Sequence, residues 1–225
     1  GYVMDHDRLK NVLMTSKDAH VAFNDIIVSK RHEDPNINKE SIVNNLLLPI
    51  AHHETGGTFD PRQLQKVENF NPKVHGHGLY QFERKSLRTA LRRSFRFYYN
   101  KAKMGYSFDD KESLKKAKVP SWMIKTYFNK NTNASDLDAG QQTALLLYDF
   151  LYKDGMNIAN VTKDPSTVSS AWFNGHWSKN FMDRSSDEVI DRITSFGKNL
   201  KIYNSKYKEK KNRVRHIREV PPNFK

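Results

Sequence analysis

Residues 41–57 read SIVNNLLLPIAHHETGG. Wound at ~100° per residue, Ile42, Val43, Leu46, Leu47, Ile50 and Ala51 fall on one helical stripe. Other elements have to cover a stripe that wide. Asn38 offers an N-cap, Pro49 is expected to kink the helix, and the Gly56-Gly57 pair closes it. The odd member is Glu54. On the same winding it lies about 20° from Val43 and Leu47 and about 40° from Ile50, on the apolar side. It also sits in the last turn, where the helix dipole disfavours a carboxylate. Desolvation and the dipole both raise a carboxyl pKa, and a carboxylic acid protonated near neutral pH can serve as a general acid. The plainer alternative is a glutamate that bends out to water or pairs with an arginine.

The same periodicity recurs along the chain. Residues 6–30 carry mixed apolar spacing, and helical patterns return at 83–103, 109–117 and 120–129. Ser135 opens SDLD, a capping-box-like start for a helix through QQTALLLYDFLYKDG. Asp164 and Pro165 suit the start of another that stops at Asn174-Gly175. A last helix is expected from Ser185 or Ser186, carrying Val189, Ile193, Phe196 and Leu200. Residues 56–82, rich in Gly, Pro, Asn and His, read as loops with a short hairpin. The expectation is a mainly α chain, with a small loop and hairpin region beside the Glu54 helix. Three segments follow: an N-terminal helical extension (1–37), a central domain (38–200) and a basic C-terminal tail (201–225). No run approaches a membrane span, and the absence of cysteine excludes disulfides and thiolate chemistry.

HHETGGTFDP resembles the ESxFxP signature of lysozyme-like transglycosylases and phage tail lysozymes. GHGLYQFE (76–83) resembles their GxGLxQ, QQTALLLYDFL (141–151) is similar to the helix behind their cleft, and SSAWFNGHW (169–177) resembles their late AYNAG-type segment. The four elements occur in the same order over about residues 40–180. The resemblance implies an α+β lysozyme-like fold that cuts peptidoglycan between N-acetylmuramic acid and N-acetylglucosamine, without a cofactor. Carried over by position, Glu54 matches the catalytic acid, Gln81 the glutamine after GL, and Asn174 the late asparagine. Tyr80 stands where the family often has Met. The setting implied is a phage virion, in the tail or as an internal protein among other virion proteins, acting in the cell wall or periplasm.

Two-carboxylate glycosidases place a second group across the scissile bond. Asp60, Glu68 and Glu83 are the candidates, with turn-capping roles favoured for Asp60 and Glu83 and a cleft-facing loop position open to Glu68. Without a second carboxylate, the substrate's own C6 hydroxyl can attack. Tyr148, mid-helix in an apolar run, needs a hydroxyl partner that the site could supply, and Trp172 sits next but one to Asn174. His53-Glu54 invites comparison with the zinc motif HExxH, but Gly57 stands where the second His belongs, so no metal is expected. Net charge is +13, and residues 198–225 hold ten Lys or Arg against two Glu. Such charge favours a polyanion, either wall polymer or nucleic acid, and leaves open a non-catalytic basic binding module.

Overall fold

Short polar caps set where the first helices begin. Asp5 Oδ1 accepts from the Arg8 N–H at 2.8 Å and starts α1 (His6–Thr15). Ser16 Oγ accepts from the Ala19 N–H at 3.2 Å and starts α2 (Lys17–Lys30). The structure is a computed structural model that describes residues 4–152, Ile158 and 187–209.

The stripe of residues 42–51 is helical throughout but not uniformly α. Helix α3 (Lys39–Ile42), capped by Asn38, passes through a π-wound turn (Val43–Leu47) into α4 (Leu48–Thr55). Pro49 explains the wider turn. It has no N–H to give and its ring crowds the carbonyl four residues back, so the turn widens rather than breaks. Ile42, Val43, Leu46, Leu47, Leu48, Ile50 and Ala51 are all fully buried.

Helix α5 (Arg84–Ala102) buries Leu87, Leu91, Phe95, Tyr98 and Tyr99; α6 (Lys111–Lys116) meets it near its C-terminal end at Tyr99, and α7 (Ser121–Phe128) packs along Arg88 and Phe95. Helix α8 (Ala139–Tyr152) is the centre. It is apolar nearly all round, as a helix inside a bundle must be. Its most extensive contacts are with α2 on one side and α5 on the other. Asp149 of α8 is buried, and Arg93 Nη1 of α5 donates to its Oδ1 at 2.6 Å, as a buried carboxylate requires. Helix α9 (Asp187–Tyr203), ending in a second π-wound turn (Asn204–Glu209), lies against α4.

Mainly α is what the structure has. Four finer expectations differ. The hairpin reduces, among the described residues, to two isolated antiparallel bridges, Leu64 with His77 and His77 with Phe82. Phe59, Asn69 and Gln81 adopt left-handed φ of 53–54°, which interrupts any extended run. The start of α8 is not capped by Ser135. Asn133 and Asp136 form a capping box on a separate short turn, and Asp138 Oδ1 takes the Gln141 N–H at 2.8 Å. The boundary at residue 38 divides elements that share one core, because Leu9, Leu13, Ala22, Phe23 and Ile26 are fully buried within it. The boundary at 200 falls inside α9; residues 210–225 of the tail lie outside the described residues.

Removing a fully buried ring costs about 3–5 kcal/mol. Phe23→Ala is therefore expected to lower stability by roughly that amount, read from urea unfolding followed by circular dichroism. A change below about 1 kcal/mol would mean that α2 is dispensable to the core.

Candidate active site

Helix α4 delivers Glu54 to the edge of a cleft because it stops one residue later. Gly56 takes the left-handed conformation (φ 61°), and the N–H groups of Gly56 and Gly57 turn back onto the carbonyls of His53 and His52. Thr55 then ties the exit: its hydroxyl donates to Ala51 O at 2.6 Å and accepts from the Phe59 N–H at 2.9 Å. Thr55 and Phe59 become buried, while Glu54 is half-buried.

The cleft holds about 660 Å³. Glu54, Tyr80, Gln81 and Glu83 line it, with Gln63, Gln65 and Lys66 from the intervening loop, Ser86 from α5 and Ser195 from α9. The sequence expectation for Glu54, Tyr80 and Gln81 as neighbours is therefore met in space. Their parts differ. Gln81 Nε2 donates to Gln63 O at 3.1 Å and Gly78 O at 2.9 Å, so it shapes the cleft wall. Tyr80 is 3 % exposed and its hydroxyl pairs with Thr143 Oγ1 at 2.7 Å. Burial pushes that phenol far above its ordinary pKa, so Tyr80 is a neutral floor and not a sugar-stacking face.

Three other expectations are corrected or fall elsewhere. Glu68 is exposed and does not line the cleft; the second carboxylate there is Glu83. Glu83 stands at the N-cap of α5 but its side chain makes no capping hydrogen bond. Tyr148 finds its hydroxyl partner inside the bundle. It donates to Asp25 Oδ2 at 2.6 Å and pairs with Tyr98 at 3.2 Å, between α2, α5 and α8. Asp60 has the turn role expected of it, accepting from the Arg62 N–H at 2.8 Å. Asn174 and Trp172 lie outside the described residues, as does His176. Among the described residues no group of three or more His, Asp or Glu is placed to hold a metal.

Sequence reasoning missed two contributors. Gln142 is fully buried on α8. Its Oε1 accepts from the Leu79 N–H at 2.8 Å, and its Nε2 donates to Pro61 O at 2.8 Å and Leu137 O at 2.9 Å. That one amide holds both flanks of the cleft loop. It comes so close that a Cβ on Gly78 (φ 83°) would collide with it, which accounts for the glycine. A second glutamine at the start of the apolar run QQTALLLYDFL was the available signal. The second contributor is α9. Asn199 Nδ2 donates to His53 Nδ1 at 2.8 Å, and His53 packs on Phe196 with ring centroids 4.6 Å apart. Next to it, His6 accepts at Nε2 from the Tyr203 hydroxyl at 2.7 Å, its Nδ1 proton going to Asp7 Oδ1 at 2.9 Å, and stacks on Tyr207 at 4.0 Å. His52 Nδ1 is buried with no hydrogen-bond partner among the described residues.

Burial lowers the pKa of all three histidines. His53 is brought to about 4, first by desolvation and then by neighbouring His52. The unfolded chain takes up these protons below about pH 6.5, while the folded chain resists until lower pH. Stability is therefore expected to fall as pH drops from about 6.5 toward 4, measured by urea unfolding at several pH values. His53→Gln should flatten that slope; an unchanged slope would remove His53 as its source. Gln142→Leu orphans the buried Leu79 N–H, at about 1–3 kcal/mol, and removes the donor to two part-buried carbonyls, Pro61 O and Leu137 O. It is expected to lower the melting temperature and to speed proteolysis within residues 60–80. Unaltered cleavage there would mean the loop stands without it.

Comparison with protein-family models, with curated proteins and with solved structures gives no match. The functional reading therefore stands on the chemistry of this cleft and on the sequence motifs that frame it.

Proposed function

We propose that the cleft cleaves peptidoglycan glycan strands between N-acetylmuramic acid and N-acetylglucosamine, with Glu54 as the general acid. The observation that carries this reading is that Glu54 and Glu83 line one cleft whose other walls are mostly uncharged amides and hydroxyls. Gln63, Gln65, Gln81, Ser86 and Ser195 carry the amides and hydroxyls that exchange hydrogen bonds with sugar hydroxyls and N-acetyl groups. The order of the motifs around Glu54, Gly76–Gln81 and residues 141–151 supports the same reading. It also suggests a virion-associated phage protein that opens the wall locally.

In the reaction, Glu54 gives its proton to the glycosidic oxygen as the C1–O bond breaks. Two routes complete it. Glu83 can serve as the second carboxylate, as nucleophile or as base for water. Otherwise the C6 hydroxyl of the muramic acid attacks C1 and Glu54 takes back a proton, leaving a 1,6-anhydro end. A second reading, a wall-binding protein that does not cut, is favoured by the charge of the α5–α7 region.

The test is digestion of purified peptidoglycan by wild type, Glu54→Gln and Glu83→Gln, with products weighed by mass spectrometry. Glu54→Gln is expected to lose about 10²–10⁴-fold in rate while keeping its circular dichroism spectrum. Reducing ends lost with Glu83→Gln identify the two-carboxylate route. Anhydro ends, lighter by one water and unaffected by Glu83→Gln, identify the substrate-assisted one. A fully active Glu54→Gln protein would overturn the assignment, and no products from any of the three would favour binding alone.

A further inference from the structure

The positive charge of this chain is not spread over its surface. Residues 84–130, which form α5, α6 and α7, hold fourteen Lys or Arg and only three Asp or Glu. Residues 4–83, which carry Glu54 and most of the cleft, hold nine cations against eleven carboxylates. Residues 131–152 hold three Asp and no cation. Residues 187–209 hold five cations against four carboxylates. Among the described residues the α5–α7 region is therefore a positive corner beside a slightly negative remainder. Its three helices belong together. Phe95 of α5 meets Tyr127 of α7 edge-on at 5.0 Å, and the Tyr99 hydroxyl of α5 donates to Ser113 Oγ of α6 at 3.1 Å.

Little of this charge is cancelled locally. Among the described residues, Arg93 pairs with Asp149, Lys101 with Asp25 and Lys115 with Glu112; the other eleven cations make no ion pair. Lys85 and Arg96 fall within about 20° of each other on α5, exposed on the side away from its buried face, with Arg92 about 20° to the other side of Lys85. Further exposed lysines follow on α6 and α7 and their connections: Lys111, Lys116, Lys118, Lys125 and Lys130. Like charges gathered at this density raise the energy of the free surface and attract a polyanion.

The side chains narrow the kind of polyanion. Ten of the fourteen cations are exposed, and nine of those ten are lysines. Lysine is a point charge on a flexible stem, suited to phosphate groups of variable position. Of the five arginines, Arg84, Arg88 and Arg93 are half-buried and held by protein groups, and only Arg96 is exposed. Arg84 Nε donates to Asn133 Oδ1 at 3.1 Å, Arg88 Nη1 donates to Tyr127 O at 2.9 Å over the Tyr127 ring, and Arg96 lies over Tyr152. The large ring exposed in this corner is Tyr106. Its hydroxyl donates to Asn100 and one face stacks on Phe108, so no row of aromatic platforms accompanies the charge. The corner also starts at the cleft: Glu83 and Ser86, at the first turn of α5, line it. Nineteen helical residues carry the charge about 28 Å away from that edge.

We propose that the α5–α7 corner is an anchoring surface for a flexible polyol-phosphate polymer of the cell wall, held beside the glycan strand that occupies the cleft. The choice of a wall polymer rests on the proposed function; the attraction to phosphate charge does not.

The test uses the full chain carrying Glu54→Gln, with and without Lys85→Gln, Lys116→Gln, Lys125→Gln and Lys130→Gln together. Binding is measured by fluorescence anisotropy to labelled poly(glycerol phosphate), and to single- and double-stranded DNA at equal phosphate concentration, from 50 to 300 mM salt. The expected result is tighter binding to poly(glycerol phosphate) than to either DNA. The four-lysine variant should bind about tenfold or more weakly, its log K against log salt slope shallower by about 2–3 if all four lysines touch phosphate. Circular dichroism should be unchanged between the two proteins. Tighter binding to DNA would overturn the proposal in favour of a nucleic-acid interface. No binding of the polymer at 50 mM salt, or equal binding by the variant, would overturn it outright. Polymer binding by a protein whose Glu54 form cuts nothing would sink the glycosidase reading alone, and cutting without polymer binding would sink this one alone.

Discussion

The cleft depends on one buried amide. Gln142 reaches from the first turn of α8 into the loop region and satisfies groups at Pro61, Leu79 and Leu137 at once. A loop with only two isolated bridges has little ladder of its own to hold it. Its shape is therefore set from the bundle below, through a side chain that must be fully paired because it is fully buried. The glycine at 78 follows from accommodating that amide.

Opposite this wall, α4 is gripped from behind by α1 and α9. The grip is aromatic and histidine-rich: His6, His52 and His53 pack among Phe59, Phe196, Tyr203 and Tyr207. Such a cluster is dry enough to keep imidazoles neutral, with hydrogen bonds linking them to Tyr203, Asp7 and Asn199. The result couples the end of α4, where Glu54 sits, to an element nearly 150 residues later in the chain. The two walls of the cleft thus come from unrelated parts of the sequence, while the acid stands on the helix between them.

Charge is divided in the same way as structure. The half that carries the carboxylates is near neutral to slightly negative, and the α5–α7 corner holds most of the excess cations of the described chain. Separating them keeps the lysines from neutralising the groups that would do chemistry, and leaves one surface free to hold an anionic partner.

By itself the sequence determined the helices and the position of Glu54 at the end of one of them. Apolar spacing placed the elements from residue 38 to 129 and the run at 141–152, because a 3.6-residue period is a local property. The left-handed Gly56 stop and the Asn38 cap were legible for the same reason. Placing Glu54, Tyr80 and Gln81 together needed only the short spacing of their motifs. Tertiary structure decided what those residues face. Tyr148 turned to Asp25, 123 residues away, and Tyr80 to Thr143, because a buried hydroxyl takes whatever acceptor packing brings within reach. Glu68 pointed to solvent and Glu83 to the cleft, a difference set by loop conformation and not by residue type. That α1 and α2 belong to the core, and that α9 closes the site, depends on contacts across most of the chain, for which local periodicity carries no information.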